Sequence, residues 1–169
     1  ETTTVVSQDE SQKDGWDEYN QQYYENGELV TNQFRDIDGN TYYCTAVSMG
    51  NPHVIQYVDT LDFDIEAIGP KFEHASLFPE SVNTEFVKVV DREHLKMRVW
   101  ERGSGETMAC GTGACAVMYA SYLNNKCDEK VDVELLGGHL QIELRDKKIF
   151  MTGPARTTFE GTLKEEDYA

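Results

Sequence analysis

The feature that most constrains the fold is residues 106–123, ETMACGTGACAVMYASYL, where a glycine-rich turn leads into an apolar run. From Ala114 to Leu123 almost no polar face remains before the pair Asn124–Asn125. We interpret the run as a helix, and a helix that is apolar all round has to be covered on every side. The rest of the chain must therefore supply a surface that surrounds it.

Short strands dominate the remaining pattern. Residues 41–50 and 53–59 predict two strands around a Gly-Asn-Pro turn, and residues 85–91 and 95–101 predict a hairpin. A helix is predicted within 64–76, interrupted or restarted at Gly69–Pro70. Three more strands follow, VDVELL, HLQIELR and KIFMTG, separated by Gly137–Gly138 and Asp146–Lys147. Together they predict an α+β fold with an antiparallel, barrel-like sheet wrapped around a central helix.

Composition limits the partners of the chain. A formal charge of −16 over 169 residues argues against nucleic acid or an anionic membrane as a partner, because both need a basic surface. No apolar run approaches the roughly 18 residues of a membrane span. No basic, apolar leader opens the sequence, so we expect a cytoplasmic location. The first residue is Glu1 rather than Met, and we expect a piece of a longer protein.

The first forty residues differ from the rest in charge. Residues 1–40 carry ten acidic and two basic side chains, a net charge of −8. They show no helical or alternating apolar period, so we interpret them as a long acidic connector that leads into the first strand region. The simpler explanation for their acidity is a solvated face that aids solubility. Residues 41–162 are predicted to form the domain, and residues 163–169 a tail.

The four cysteines are predicted to be free thiols. The chain is long and has no export signal, which disfavours a disulfide framework. The spacing of Cys110 and Cys115 does not match common zinc clusters, and no histidine pair completes a set. Cys44 lies within an alternating strand pattern and is predicted to be a packing residue. No metal site and no cofactor are predicted.

Cys110 stands directly before the predicted apolar helix. The first turn of a helix presents backbone N–H groups without intrahelical partners and a partial positive charge, which together suit a carboxylate. The same field is expected to lower the pKa of a nearby thiol. A thiol beside a bound carboxylate is placed to move a proton at the adjacent carbon. The simpler alternative is a small apolar cysteine packed at a tight turn.

Three motifs, in order along the chain, carry a family resemblance. ERGSGETMACGTGACA (101–116) resembles the signature of diaminopimelate epimerase, and SMGNPHVI (48–55) and FPESVNTEFV (78–87) resemble two further motifs of that family. The resemblance covers about residues 41–162 and only the C-terminal half of the family. It implies one of two similar halves, each a β-barrel around a central helix. It also implies interconversion of LL- and meso-diaminopimelate, a precursor of lysine and peptidoglycan, without cofactor or metal.

The same resemblance implies roles for individual residues. Cys110 would be one of two proton-transferring thiols, the other coming from the N-terminal half. The remaining positions would bind substrate: Gly111 and Thr112 its reacting carboxylate, Asn51, Asn83 and Arg102 its distal end, Glu101 its ammonium group and His53 the reacting centre. Each has a simpler alternative. Glu101 and Arg102 suit a solvated pair, His53 a satisfied core histidine, Asn51 a turn former and Asn83 a loop cap.

A second asparagine- and glycine-rich cysteine turn, which the family has in its N-terminal half, does not precede residue 41. Cys115 and Cys127 match no catalytic position of the family. We therefore expect the isolated chain not to turn over, with the missing N-terminal half as its partner. The alternatives are a related racemase or isomerase of the same fold, a carboxylate-binding module without catalysis, and a homodimer that faces two Cys110 thiols across one cleft.

Overall fold

The computed structural model describes residues 40–76 and 78–162, together with four short strands in the preceding segment. The elements, in chain order, are β1 (Gly15–Asp17), β2 (Gln22–Glu25), β3 (Glu28–Leu29), β4 (Asn32–Ile37), β5 (Asn40–Ser48), β6 (Pro52–Tyr57), α1 (Ile65–Glu73), β7 (Asn83–Val89), β8 (His94–Glu101), β9 (Gly105–Thr107), α2 (Gly111–Leu123), β10 (Lys130–Leu135), β11 (Gly138–Arg145) and β12 (Lys148–Thr152).

The strands form one large sheet and one small one. The large sheet has the order β12-β11-β10-β8-β7-β6-β5-β4, with β9 paired to β8, and β1 to β3 form the small sheet. Both helices and all strands predicted beyond residue 40 are confirmed. The α+β class is confirmed as well, but the sheet is open among the described residues, with β4 and β12 at its ends. The closed barrel is not found.

Two strand pairings are parallel, which corrects the expectation of an antiparallel sheet. β6 pairs with β7 in parallel, and β8 pairs with β10 in parallel. Helix α1 lies between the first two strands in sequence, and α2 lies between the second two. A parallel pair needs a long crossover connection, and each helix provides one. The periodicity of a strand does not reveal the direction of its neighbour.

The two helices cover opposite faces of the sheet. Along β6 and β7, the neighbours Val54 and Ile55 alternate between two apolar clusters, as do Phe86 and Val87. Successive strand residues point to opposite faces, so one cluster lies on each side. The larger cluster surrounds α2 and the smaller one contains α1 residues.

Helix α2 is buried along most of its length, as the apolar run predicts. Residues 113–121 are all buried, and the exposed Tyr122 and Leu123 end the helix. Asn124 closes the last turn, with its backbone and side-chain nitrogens both donating to the Ala120 carbonyl. Asn125 follows with a φ of 54°, the left-handed conformation common after a helix end. No helix in the described part of the chain is long and apolar enough to cross a membrane.

Helix α1 is continuous, and the expected interruption at Gly69–Pro70 is wrong. The Asp64 side chain caps its start by accepting from the Ala67 N–H at 3.2 Å. Pro70 lies inside the helix, and as a proline it removes only one N–H from the hydrogen-bond ladder. A Cβ atom at Gly69 would lie 2.3 Å from the Trp100 ring, so glycine is required there by close packing.

The segment predicted to be an acidic connector and first strand region contains the four short strands β1 to β4. Strand β4 pairs antiparallel with β5, with Asn32 opposite Cys44 and Phe34 opposite Tyr42. Pairing with a buried neighbour gives this stretch a regular structure that its composition does not indicate. Residues 1–14 and the predicted tail at 163–169 lie outside the described residues.

Candidate active site

Cys110 is the N-cap residue of α2. Its backbone is extended, with φ −133° and ψ 107°, and its carbonyl accepts the first helical bond from the Ala114 N–H at 2.9 Å. Its Sγ accepts from the Gly113 N–H at 3.3 Å. The sulfur takes the position that a serine or aspartate oxygen usually has at a helix start. Cys110 is 7% exposed, but it is not enclosed by hydrocarbon alone.

The expected lowering of the Cys110 pKa is wrong. Burial raises the pKa of this thiol above its ordinary value, although the hydrogen bonds from Thr112 and the Gly113 N–H act in the opposite direction. The nearby carboxyl groups of Glu85 and Glu101 raise it further. Desolvation of a thiolate therefore outweighs the stabilisation by the helix start. The resting chain favours the protonated thiol.

Three predicted site residues lie in one hydrogen-bonded group with Cys110. The Thr112 hydroxyl is 3.6 Å from Cys110 Sγ, and the Asn51 amide Nδ2 donates to Thr112 Oγ1 at 3.4 Å. Asn51 Oδ1 is 3.1 Å from His53 Nε2. The group thus joins the turn before β6 to the first turn of α2, across 61 residues of sequence. His53 is a buried, satisfied histidine, and its partner Asn51 connects it to Cys110.

Three more predicted residues, Asn83, Glu101 and Arg102, form a second group at the ends of β6, β7 and β8. The Asn83 side chain donates to the Pro52 carbonyl at 2.9 Å and accepts from the Arg102 N–H at 2.9 Å. The exposed Arg102 guanidinium donates to the Glu80 carbonyl at 3.1 Å. The Glu101 carboxylate accepts from the Thr107 hydroxyl. Glu101 and Arg102 therefore each form a hydrogen bond to a different residue and not to one another.

Gly111 and Thr112 open α2 and are partly exposed. Their N–H groups lie in the first helical turn, where no intrahelical acceptor is available. A Cβ atom at Gly111 would lie 3.1 Å from Met151 Sδ, so β12 approaches the helix start closely. The Gly137 N–H donates to the Met108 carbonyl at 2.7 Å and anchors the segment that leads to Cys110. Strand β12 and the turn between β10 and β11 thereby hold this segment in place.

Sequence reasoning missed Glu85 and Glu73. Glu85, on β7, is fully buried, and its Oε1 is 2.6 Å from His53 Nδ1. Glu73, at the end of α1, accepts from the Trp100 indole N–H at 2.7 Å and from the Gly103 N–H at 2.9 Å, and so supports the loop after Arg102. The available signal was Glu85 itself, an acidic residue inside the apolar strand motif NTEFV.

A cavity of about 810 Å³ lies at the opposite end of α2 from Cys110. Tyr119, Tyr122 and the β11–β12 turn contribute to its lining. No predicted site residue lines it. The candidate active site is therefore identified from its hydrogen-bonded groups and not from this cavity.

Comparison with known proteins identifies the family. The family profile described as diaminopimelate epimerase matches residues 45–158, which include both hydrogen-bonded groups. The chain belongs to the diaminopimelate epimerase family. Its relatives named "Diaminopimelate epimerase" include proteins of Acetivibrio thermocellus and Nostoc punctiforme, 57% and 54% identical over 131 residues. A relative of the same name from Methanococcus maripaludis is 56% identical over 125 residues.

The match covers most of this chain but not of its relatives. The 131 matched residues are 76% of this chain and 47% of the Acetivibrio thermocellus and Nostoc punctiforme proteins, and the Methanococcus maripaludis match covers 72% and 45%. The chain thus spans about half the length of the curated relatives it matches. Among solved structures, a PhzF-family phenazine biosynthesis protein of Bacillus anthracis is 22% identical, with a TM-score of 0.47 over 65% of this chain and 38% of that protein.

Proposed function

We propose that this chain is the C-terminal part of a cofactor-independent epimerase that interconverts LL- and meso-diaminopimelate. The observation that carries the proposal is Cys110 at the N-cap of α2, with its Sγ in contact with Thr112 and the Gly113 N–H. The names of the relatives supply the substrate. Action in the cytoplasm, and the absence of cofactor and metal, stay predictions.

In the proposed reaction Cys110 exchanges a proton with the substrate α-carbon. In one direction the thiolate takes the α-proton, and the electron pair of the broken C–H bond spreads onto the neighbouring carboxylate. A second thiol, from the N-terminal half, gives its proton to the opposite face of the carbon. The stereocentre is inverted, and the two sulfurs have exchanged protonation states. No redox change occurs, and no atom other than hydrogen moves.

The start of α2 suits the charge that develops in this reaction. The N–H groups of Gly111 and Thr112 are proposed to bind the reacting carboxylate, where donors oriented in advance stabilise the carbanion. Because burial raises the pKa of Cys110, the resting residue is a proton donor. The reverse role, as a base, would depend on the Thr112 and Gly113 hydrogen bonds to its sulfur.

The second group is proposed to bind the substrate's other amino-acid end. Arg102 has an exposed guanidinium, which suits a carboxylate through charge-assisted hydrogen bonds. Asn83 fixes the Arg102 backbone and carries polar atoms at the same strand ends. Glu101 lies close enough to Cys110 to influence its pKa and is proposed to bind an ammonium group. His53 is proposed to act near the reacting centre through Asn51.

The decisive experiment follows both α-proton exchange and the interconversion of LL- and meso-diaminopimelate in deuterated water. We compare this chain alone with a chimera in which residues 45–158 replace the matched segment of the Acetivibrio thermocellus relative. We expect inversion of the α-carbon with deuterium uptake in the chimera and no inversion with the chain alone, because one thiol cannot serve both faces of the carbon. Cys110→Ala in the chimera is expected to reduce inversion by at least about a thousandfold, because a catalytic acid–base group is lost.

Cys115→Ala is the matched control, because Cys115 is a second buried cysteine on α2 that has no proposed role. It should retain exchange. Inversion that survives Cys110→Ala would overturn the proposal. Inversion by the chain alone would contradict the need for a second half and would favour the homodimer, which stays a prediction.

A further inference from the structure

Glu85 is a buried acid that the proposed reaction does not use. Its side chain has no exposed surface, and Oε1 is 2.6 Å from Nδ1 of the equally buried His53. Its Oε2 has no hydrogen-bond partner among the described residues. A Cβ atom at Gly113 would lie 2.7 Å from Glu85 Oε1 and 3.2 Å from Cys110 Sγ. The acid thus lies directly beside the turn that holds the candidate catalytic sulfur.

The surroundings of Glu85 favour a pair that carries a proton. A fully charged carboxylate with one donor and an unpaired oxygen is strongly disfavoured in a buried site. Burial raises the pKa of Glu85, and the charge of Glu101 acts in the same direction, although His53 opposes the rise. A proton between Oε1 and Nδ1 satisfies both atoms, whichever of the two holds it.

This proton fixes the direction of every following hydrogen bond. When the Glu85–His53 pair is neutral as a whole, one proton lies between Oε1 and Nδ1 and the second imidazole proton lies on Nε2, 3.1 Å from Asn51 Oδ1, to which it can donate. The Asn51 amide then has Nδ2 to donate to Thr112 Oγ1 over 3.4 Å. The Thr112 oxygen is used as an acceptor, so its own hydrogen is available to Cys110 Sγ at 3.6 Å.

We propose that Glu85 is a positioning residue: through His53 and Asn51 it orients the Thr112 hydroxyl as a hydrogen-bond donor to Cys110. The inference deepens the proposed function and depends on it for its catalytic meaning. The hydrogen-bond chain itself is a property of the resting protein. It is tested without substrate and without the second half.

The test measures the ionisation of Cys110 directly. The chain is labelled with ¹³C at cysteine Cβ, the Cys110 signal is assigned with Cys110→Ser, and its titration midpoint is measured by NMR. The variants are Glu85→Met, which keeps the length of the side chain and removes its hydrogen bonds, Thr112→Val, which removes the donor, and the double variant. Glu134→Gln is the control, since Glu134 pairs with Lys96 in an exposed ion pair.

Each single variant is expected to reduce the Cys110 thiolate fraction at a given pH by about tenfold, the size expected for losing one hydrogen bond to a charged group. The double variant should match Thr112→Val alone, because both changes remove the same donor. A thiolate fraction that rises in Glu85→Met would overturn the proposal, since it would show that Glu85 acts only as a nearby negative charge. Additive effects would overturn it as well.

A second measurement needs no variant and remains informative if Glu85→Met does not fold. Nitrogen-15 shifts of the imidazole in the wild-type chain report which nitrogen carries a proton. We expect His53 Nε2 to be protonated throughout the neutral range, and a bare Nε2 would overturn the proposal. The exchange assay could fail while the effects of Thr112→Val and Glu85→Met on the Cys110 titration are non-additive. That result would refute the enzyme function and leave this inference standing.

Discussion

Two buried glutamates support the candidate site from opposite sides of the sheet, and their pKa values are shifted in opposite directions. Glu73, behind the Arg102 loop, accepts from the Trp100 and Gly103 N–H groups. Glu85, beside the Cys110 turn, has His53 as its side-chain partner among the described residues. Burial acts to raise the pKa of both, but the two donors to Glu73, together with the charges of His74 and Arg102, outweigh it, and the pKa of Glu73 is lowered. Donors, and not burial alone, decide whether a buried acid is charged.

The two acids have different structural roles. A charged Glu73 fixes backbone, because it holds the loop from which the Arg102 side chain extends. A proton-sharing Glu85 fixes the direction of side-chain hydrogen bonds and leaves less negative charge beside Cys110 than a free carboxylate would. An anion at that position would oppose formation of the thiolate, so a neutral pair is the arrangement that a proton-transferring sulfur tolerates best.

The largest effect is expected from Gly69→Ala, which disturbs the packing of the Trp100 ring that binds Glu73. In Gly69→Ala the new Cβ would lie 2.3–2.6 Å from three atoms of the rigid Trp100 ring. The indole has to move and loses its bond to Glu73, so we expect the free energy of unfolding to fall by about 3 kcal/mol. Urea unfolding measures it. Gly161→Ala, which meets nothing closer than 3.8 Å, is the control, and a Gly69→Ala change as small as the control's would contradict the packing argument.

Amide variants of the two acids compare their charges directly. In Glu73→Gln the amide NH₂ has to face one of two N–H donors, so we expect a loss of about 2 kcal/mol in unfolding free energy. In Glu85→Gln the amide N–H can donate to His53 Nδ1 in place of the shared proton, so we expect a loss below about 1 kcal/mol. Urea unfolding at neutral pH measures both. The reverse order of losses would show that Glu85 is the charged member.

The smallest effect is the pH dependence, for which the two acids should have opposite signs. Glu73, facing His74 and Arg102, has a lowered pKa, so its stabilisation is complete above the unfolded value of about 4.3 and is lost as pH falls. Glu85, facing His53 and Glu101, has a raised pKa, so its stabilisation is complete below that value and is lost as pH rises.

Urea unfolding of each amide variant against wild type, between about pH 3 and 6, measures the two slopes. The difference between wild type and Glu73→Gln should shrink on acidification. The difference between wild type and Glu85→Gln should shrink as the pH rises. Slopes of the same sign would remove the distinction between the two acids.

The local sequence pattern was sufficient to predict much of the fold and the position of Cys110 before α2. The apolar run from Ala114, the strands and the free thiols were all predicted correctly, since periodicity and burial are properties of short stretches. Parallel pairing, the open sheet and the continuity of α1 through Pro70 were not. Each depends on a distant neighbour, such as the Trp100 ring that packs against Gly69.

By itself the sequence determined that a wholly apolar helix had to be covered and that Cys110 would stand at its start, because side-chain spacing alone specifies both. Only the tertiary structure decided which groups surround that sulfur and in which direction their pKa values shift. The contact between His53 and Glu85 joins residues 32 apart, and that between Asn51 and Thr112 joins residues 61 apart. A pKa depends on desolvation and on such partners in space, and chain-local pattern contains neither.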